Sequence, residues 1–447
     1  MKEKYIASWD YRVFKHYVRF LNEHLMYKMY YQGKENIPAK GELCMLTSNH
    51  QNCANDPLNL LLGLENDTHP YVLARADAFD LNPLVAKFFY WLGMLPAFRA
   101  EFGSGDDIAA KNQKTMDIVY GKMLDGNRLI IYPEGIHHDY HWMGEFTFGY
   151  TRMAFEAAER DGFKRDIKIL PCANHYEDYF EVGCQCIIRY GKPISLQPFY
   201  ELYKTKPRTA QREVNKLVRE QIFDMMLHVE DLDHYAQIDW LRNSAFGWDY
   251  CRRMGLNPAY LPDKLIADKE LVNKLSEFSS QNSEFWEEID RVRLEAEELG
   301  ITERAIMHKK NWAITILSWL AQIALLPLWI ASLYPNIIHY NIHRPFVPKD
   351  QILFTNSVRF IVPTVIGIPA FFIGTVLVCG LVWGLWWQSI VWMLLASWPL
   401  AWFGLHEWYW MKHNWENACL LVKSKKSKVK SFMAKRESLF ENLRKKL

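Results

Sequence analysis

The 447-residue chain has almost no net charge: 53 Lys and Arg face 51 Asp and Glu, for a formal +2. That balance leaves no electrostatic footprint for nucleic acid, so none is expected as a partner. Eight cysteines contain no C-x-x-C pair, which excludes a zinc ribbon and a thioredoxin-like redox site. Their irregular spacing in so long a chain also excludes a small disulfide-stapled domain, and free thiols are expected. Met1 to Trp9 carries charges and no apolar h-region, so no signal peptide is expected and residues 1–300 should stay in the cytosol. No G-x-S-x-G elbow occurs, so the sequence offers no serine nucleophile of the α/β-hydrolase kind.

Charge is missing most conspicuously in two places. No Asp, Glu, Lys or Arg occurs between Asn311 and His343, or between Phe360 and His406. A hydrocarbon core of ~30 Å needs ~20 apolar residues in a helix. The second stretch is long enough for two spans, with a turn expected at Gln388-Ser389. The first could hold one span, over 312–334. Length alone predicts three crossings. Basic residues argue otherwise: Lys309-Lys310, then Arg344, Lys349 and Arg359, then ten basic against two acidic residues from Lys423 on. Two crossings within 360–406 keep all of these in the cytosol. The first segment, interrupted by Pro327 and Pro335, would then be re-entrant or interfacial. The expectation is an integral membrane protein with its N-terminal part on the cytosolic face, at the inner or plasma membrane if bacterial. The basic tail would contact anionic lipid headgroups.

Ahead of this region, residues 5–31 read as one amphipathic helix, with Trp9, Val13, Tyr17 and Phe20 on one face. Short apolar runs then alternate with helical patterns. Strands are expected at Leu43–Thr47, Tyr71–Leu73, Leu129–Tyr132, Ile167–Ala173 and Cys184–Arg189, and helices near 57–64, 83–92, 108–124 and 151–160. This alternation predicts a layered α/β domain. The expected organisation is an N-terminal amphipathic helix (1–32), an α/β domain (33–208), a charged helical subdomain (209–305), membrane-embedded helices (306–410) and a basic tail (411–447).

Four segments carry candidate chemistry. In Ser48-Asn49-His50-Gln51-Asn52-Cys53-Ala54-Asn55-Asp56-Pro57 a strand delivers a histidine, with an aspartate six positions on at a helix start. A carboxylate on one imidazole nitrogen leaves the other free to take an alcohol proton. The plain alternative is that Asp56 caps the helix. In Leu129-Ile130-Ile131-Tyr132-Pro133-Glu134-Gly135-Ile136-His137-His138 a buried strand runs into Pro-Glu-Gly, where ligands of open α/β sheets bind. Met94-Leu95-Pro96-Ala97-Phe98-Arg99 ends in an arginine suited to phosphate. Ile169-Leu170-Pro171-Cys172-Ala173 is the fourth. His137, His138, Asp139 and His141 also raise a metal site, but their setting reads as loop and no metal is expected.

In this order and spacing the four segments resemble the motif set of the glycerolipid acyltransferases, over about residues 30–200. The preceding Gly33-x-Glu35-Asn36-Ile37-Pro38 resembles a membrane-anchored bacterial branch. The resemblance implies that His50, held by Asp56, deprotonates an acceptor hydroxyl, which attacks an acyl thioester of acyl carrier protein or coenzyme A. It implies that Arg99, Glu134, Gly135 and His137 hold the acceptor headgroup, that Pro171 shapes the acyl side, and that the thioester is a co-substrate with no further cofactor. The first substrate to expect is 1-acylglycerol-3-phosphate, giving phosphatidate. Glycerol-3-phosphate or another lyso-lipid is the alternative, and a non-catalytic lipid-binding scaffold a further one. Four departures bear on this choice. Five residues rather than four separate His50 from Asp56, Ile136 stands where a threonine is usual, and His137 stands where a stronger base is usual. Phe146-Thr147-Phe148 likewise replaces lysines before Gly149. Fewer cations should weaken the hold on a doubly charged phosphate.

Overall fold

The computed structural model describes residues 5–80, 82–98, 105–279, 283–347, 354–397 and 399–447. The chain divides into two compact units, one of Met1–Met226 with Val347–Ser357, the other of Leu227–Phe346 with Val358–Leu447.

The first unit is built on one eight-stranded sheet. Its strands are β1 (Tyr27–Gln32), β2 (Leu43–Ser48), β3 (Tyr71–Arg75), β4 (Met94–Ala97), β5 (Leu129–Ile131), β6 (Ile167–Tyr176), β7 (Cys184–Tyr190) and β8 (Ile194–Ser195). The order is β1-β7-β6-β2-β5-β3-β4, with β8 paired to β6. Among the described strands only β6 makes antiparallel pairs, with β7 and β8. The rest is parallel. Parallel strands bury both faces, so they read as continuous apolar runs. Every residue of β2 and β5 is buried.

Helices α1 (Trp9–Leu21), α2 (Asn55–Gly63), α3 (Pro83–Trp91), α4 (Gly105–Leu124), α5 (Gly149–Arg160), α6 (Tyr200–Thr205) and α7 (Pro207–Met225) complete the unit. Ala210, Val214, Val218 and Ile222 of α7 recur every four residues, forming one apolar stripe. That stripe joins the core with Met45, Ile169 and Phe155. The boundary expected after residue 208 therefore falls after Met226, because α7 buries its apolar face in the α/β core.

The helix expected over 5–31 is also shorter. It ends at Leu21, passes through a π turn at Asn22–Met26, and becomes strand β1. Tyr27–Gln32 pairs residue by residue with β7, so ladder hydrogen bonds override the helical spacing of its aromatics.

The second unit is helical. Glu303 takes a bidentate Arg436 at 2.7 and 2.6 Å, both groups nearly buried. Lys310 bonds Asn414 and Asn417, and Asn417 bonds Thr315. Three helical stretches, Trp312–Leu333, Thr355–Trp383 and Trp386–Lys423, are long and apolar enough to cross a membrane. Leu317, Ile323, Leu381 and Trp387 are each more than 60% exposed in the isolated chain. Water would penalise such a surface by about 25 cal/mol per Å², whereas lipid would not. The first stretch is part of one continuous helix, Trp312–Asn341, so Pro327 and Pro335 do not break it as expected. The turn within the second stretch falls at Gly384, four residues before the expected Gln388. Its φ of +66° ends the helix at little cost only for glycine.

Candidate active site

β2 lies between β5 and β6; the chain leaves β2 for β3 on the β5 side, while neighbouring β6 leads to β7 on the other side, which makes this end of the sheet a topological switch point. Parallel register then sets what meets there. Thr47 pairs with Ile131, so His50 and Glu134, each three residues further on, emerge side by side. Ser48 pairs with Cys172 on the other flank. There Asn49 extends the pairing through its side chain, donating to Asn174 O at 3.0 Å and accepting from Asn174 N at 2.8 Å.

His50 Nδ1 lies 2.7 Å from Asp56 Oδ2. Asp56 is wholly buried, and its carboxylate accepts three further hydrogen bonds. Gln51 N and Asn52 N reach Oδ2 at 2.7 and 2.9 Å, and the Tyr176 hydroxyl reaches Oδ1 at 2.7 Å. The amides it satisfies precede the helix, and α2 has no side-chain cap, so Asp56 is not acting as a helix cap. Because a carboxylate only accepts, Nδ1 carries the proton and Nε2 is left as the base. The side chain of His50 keeps 18% of its surface open. The loop between the two passes through Cys53, whose φ of +46° lies in the left-handed region. A residue with a Cβ pays about 1–2 kcal/mol there.

Tyr176 is itself held by Asn59 Nδ2 at 3.1 Å, and Asn59 accepts from Asn22 at 3.0 Å. Tyr27 OH accepts from Asn55 at 3.0 Å and Asn52 at 3.4 Å. A buried polar chain thus runs from Asn22 to the imidazole. Sequence reasoning misses Tyr176 and Asn59 as parts of the site. The one signal for them is polar residues at fully buried helix and strand positions.

Glu134, expected to hold a headgroup, has its carboxylate engaged within the protein. Its carboxylate accepts His50 N and Gly144 N, each at 2.9 Å, and His138 Nε2 lies 3.2 Å away. With a fully buried side chain, Glu134 is a brace that fixes the backbone of His50 to the 133–147 loop. The turn needs Gly135, whose φ is +70°, and a Cβ there would meet open space. Tyr132 stacks on the His50 ring at 4.2 Å, and His137 meets its edge at 5.3 Å. Burial, then the neighbouring His50, pushes His137 down to about 4, so at neutral pH it brings no positive charge to a headgroup. Arg75, at the end of β3, is a cation that acts electrostatically on both His137 and Cys53, and sequence reasoning passed over it. It forms a fork with Asp77 at 2.6 and 3.2 Å.

Pro171 sits inside β6, opposite Thr47 of β2. It falls where the β8 pairing ends and the β7 pairing begins, so its missing N–H costs no ladder bond, and its carbonyl accepts Gly191 N at 2.8 Å. Arg99 lies outside the described residues. Among the described residues no three His, Cys, Asp or Glu are grouped to hold a metal. His137 turns to His50, His138 to Glu134, and His141 to the Tyr179 hydroxyl at 2.9 Å.

A family model described as acyltransferase matches residues 28–175. The matched segment, about a third of the chain, contains the His50–Asp56 pair and the Pro-Glu-Gly turn. Among solved structures the chain is similar to the 1-acyl-sn-glycerophosphate (LPA) acyltransferase PlsC from Thermotoga maritima. The two share 14% identity with a TM-score of 0.33, over 47% of this chain and 78% of that one. No curated protein matches the chain.

Proposed function

We propose that the chain is a membrane-bound O-acyltransferase that moves a fatty acyl group from a thioester to a hydroxyl of a glycerol-phosphate lipid precursor, with 1-acylglycerol-3-phosphate as the first acceptor to test. The observation that carries this is His50 Nδ1 on the buried Asp56 at 2.7 Å, with the ring partly open, inside the segment matched by the acyltransferase family model. Nε2 of His50 takes the hydroxyl proton as the acceptor oxygen attacks the thioester carbonyl. Asp56 stabilises the imidazolium that forms. The tetrahedral intermediate collapses, the C–S bond breaks, and the departing thiolate takes the proton back from His50. No covalent enzyme intermediate is needed. Acyl carrier protein or coenzyme A supplies the thioester. The neutral His137 and the internal engagement of Glu134 leave Arg75, with Arg99, to meet a phosphate.

The contacts within each unit also support two membrane crossings. Residues before 227 and after 346 share the first unit, so an even number of crossings separates them. Among the described residues the one apolar helix between them, Trp312–Asn341, would then lie in the membrane without traversing it. Within the second unit, Glu303 with Arg436 and Lys310 with Asn414 support a reading in which both ends of the apolar region lie on one side. The crossings would be the two helices that meet at Gly384.

Purified full-length chain in detergent, offered acyl carrier protein and coenzyme A thioesters, tests the substrate. Glycerol-3-phosphate, lysophosphatidate and neutral lyso-aminolipids are supplied in parallel. Transfer to lysophosphatidate is expected. Transfer to glycerol-3-phosphate alone would overturn that acceptor, and no transfer to any hydroxyl would overturn the enzyme reading.

A further inference from the structure

The first unit contains a segment that lies outside the matched domain. Val347–Ser357 lies about 180 residues beyond it in sequence, between the two charge-free stretches, yet it belongs to the same unit as the sheet. Its last residues reach the loop that joins His50 to Asp56. Ser357 Oγ accepts the Asn55 backbone N–H at 3.2 Å and donates to Asn52 O at 3.4 Å. Asn55 N also bonds Asn52 O at 3.0 Å, so the serine hydroxyl closes a three-membered clamp across the turn. Asn356 Nδ2 donates to Tyr179 O at 2.6 Å, and the Tyr179 hydroxyl donates to Gln51 Oε1 at 3.0 Å. Phe354 meets the ring of His137 edge-on at 5.3 Å, and His137 meets His50. Asn356 and Ser357 are each 1% exposed.

These contacts bear on the residues that matter most for the dyad. Gln51 and Asn52 give their amides to Asp56, and Asn55 precedes it directly. The loop also carries the left-handed Cys53, a conformation that persists only where its surroundings hold it. We propose that Ser357, supported by Asn356, is a positioning residue for the His50–Asp56 dyad: a segment from between the apolar helices clamps the turn that sets Asp56 against the imidazole. Acyl transfer in this chain then requires a part of the sequence that a catalytic domain ending at residue 175 does not contain. This role rests on the acyl-transfer reading of His50.

Ser357→Thr and Ser357→Val test it, because they add the same bulk and differ only in the hydroxyl. The full-length chain in detergent is compared by hydrogen exchange of the 49–57 peptide and by turnover of lysophosphatidate with an acyl-coenzyme A. The threonine variant should match the native chain. The valine variant should exchange about 3- to 10-fold faster over 51–55, and should lose about 10-fold or more in kcat with KM little changed, as expected of a misplaced catalytic group. Equal exchange and equal kcat in the two variants would overturn the proposal, as would a loss confined to KM. His50→Ala separates the two readings. If it still turns over, the acyl-transfer reading fails while the exchange result stands on its own. If it is inactive and the two Ser357 variants agree, only the clamp fails.

Discussion

Tyr176→Phe removes a single oxygen, the donor that holds Asp56 Oδ1 at 2.7 Å. Asp56 and Tyr176 are both fully buried, so water cannot replace the lost bond, and Asn59 Nδ2 loses its acceptor as well. A hydrogen bond to a charged group is worth about 1.5–3 kcal/mol, and a buried group left unsatisfied costs a similar amount. The variant should therefore be about 1.5–3 kcal/mol less stable, toward the upper end because two polar groups are orphaned. Catalysis should suffer less than stability, because His50 and the Gln51 and Asn52 amides still hold Oδ2. A loss of about 10-fold in kcat corresponds to about 1.4 kcal/mol of transition-state stabilisation. The assay is a double-mutant cycle with Asp56→Asn, read as thiol release from an acyl thioester. If Tyr176 acts through Asp56, Tyr176→Phe should change kcat less than about 2-fold when Asp56→Asn is already present, because the group it orients has lost its charge. A 10-fold loss in both backgrounds would refute the relay and leave Tyr176 as packing.

Further outcomes follow from the same geometry. Glu134→Ala should cost roughly 10²-fold in kcat with a smaller change in acceptor KM, because it frees the backbone of His50 rather than a headgroup contact; a change in KM alone would restore Glu134 as a binding residue. Arg75→Ala should raise KM for a phosphate-bearing acceptor about 10-fold and leave a neutral lyso-lipid unaffected, consistent with one charge-assisted contact of about 1.5–3 kcal/mol; equal effects on both would exclude a phosphate role. His137, held near 4 when folded and ordinarily titrating near 6.5, stays neutral in the native chain while the unfolded chain takes up a proton. Stability should therefore fall as pH drops from about 6.5 toward 4, by at most about 2 kcal/mol for this partly open group, and His137→Asn should flatten that slope in detergent melts; an unchanged slope would contradict it. A cysteine at Leu385 should react with an impermeant thiol reagent from the face opposite to one at Arg344; labelling of both from one side would exclude two crossings through Gly384.

Much of the sheet is legible in the sequence because its central strands are buried on both faces, and the runs Leu43–Thr47, Leu129–Ile131 and Ile167–Ala173 admit few polar residues. Strand β1 is not legible, because Tyr27–Gln32 alternates in a way a helix also permits and only its pairing with β7 decides. The dyad can be anticipated, since His50 and Asp56 lie six residues apart across one short loop. Their supports cannot. Tyr176 is 120 residues from Asp56, and Ser357 is 302 from Asn55, so only the folded register brings them together. The contact of Glu134 with the His50 amide is not legible either, because it depends on the parallel pairing of β2 with β5.

The most direct measurement is acyl transfer by His50→Ala in the full-length chain, followed as labelled lipid product from an acyl thioester and lysophosphatidate, with melting recorded in the same detergent. Removing the general base should lower kcat by about 10³-fold, in the range expected when a positioned acid–base group is lost, with the chain still folded at the assay temperature although the lost bond to the buried Asp56 lowers its melting point. Transfer that survives the substitution at near-native rate would contradict the account.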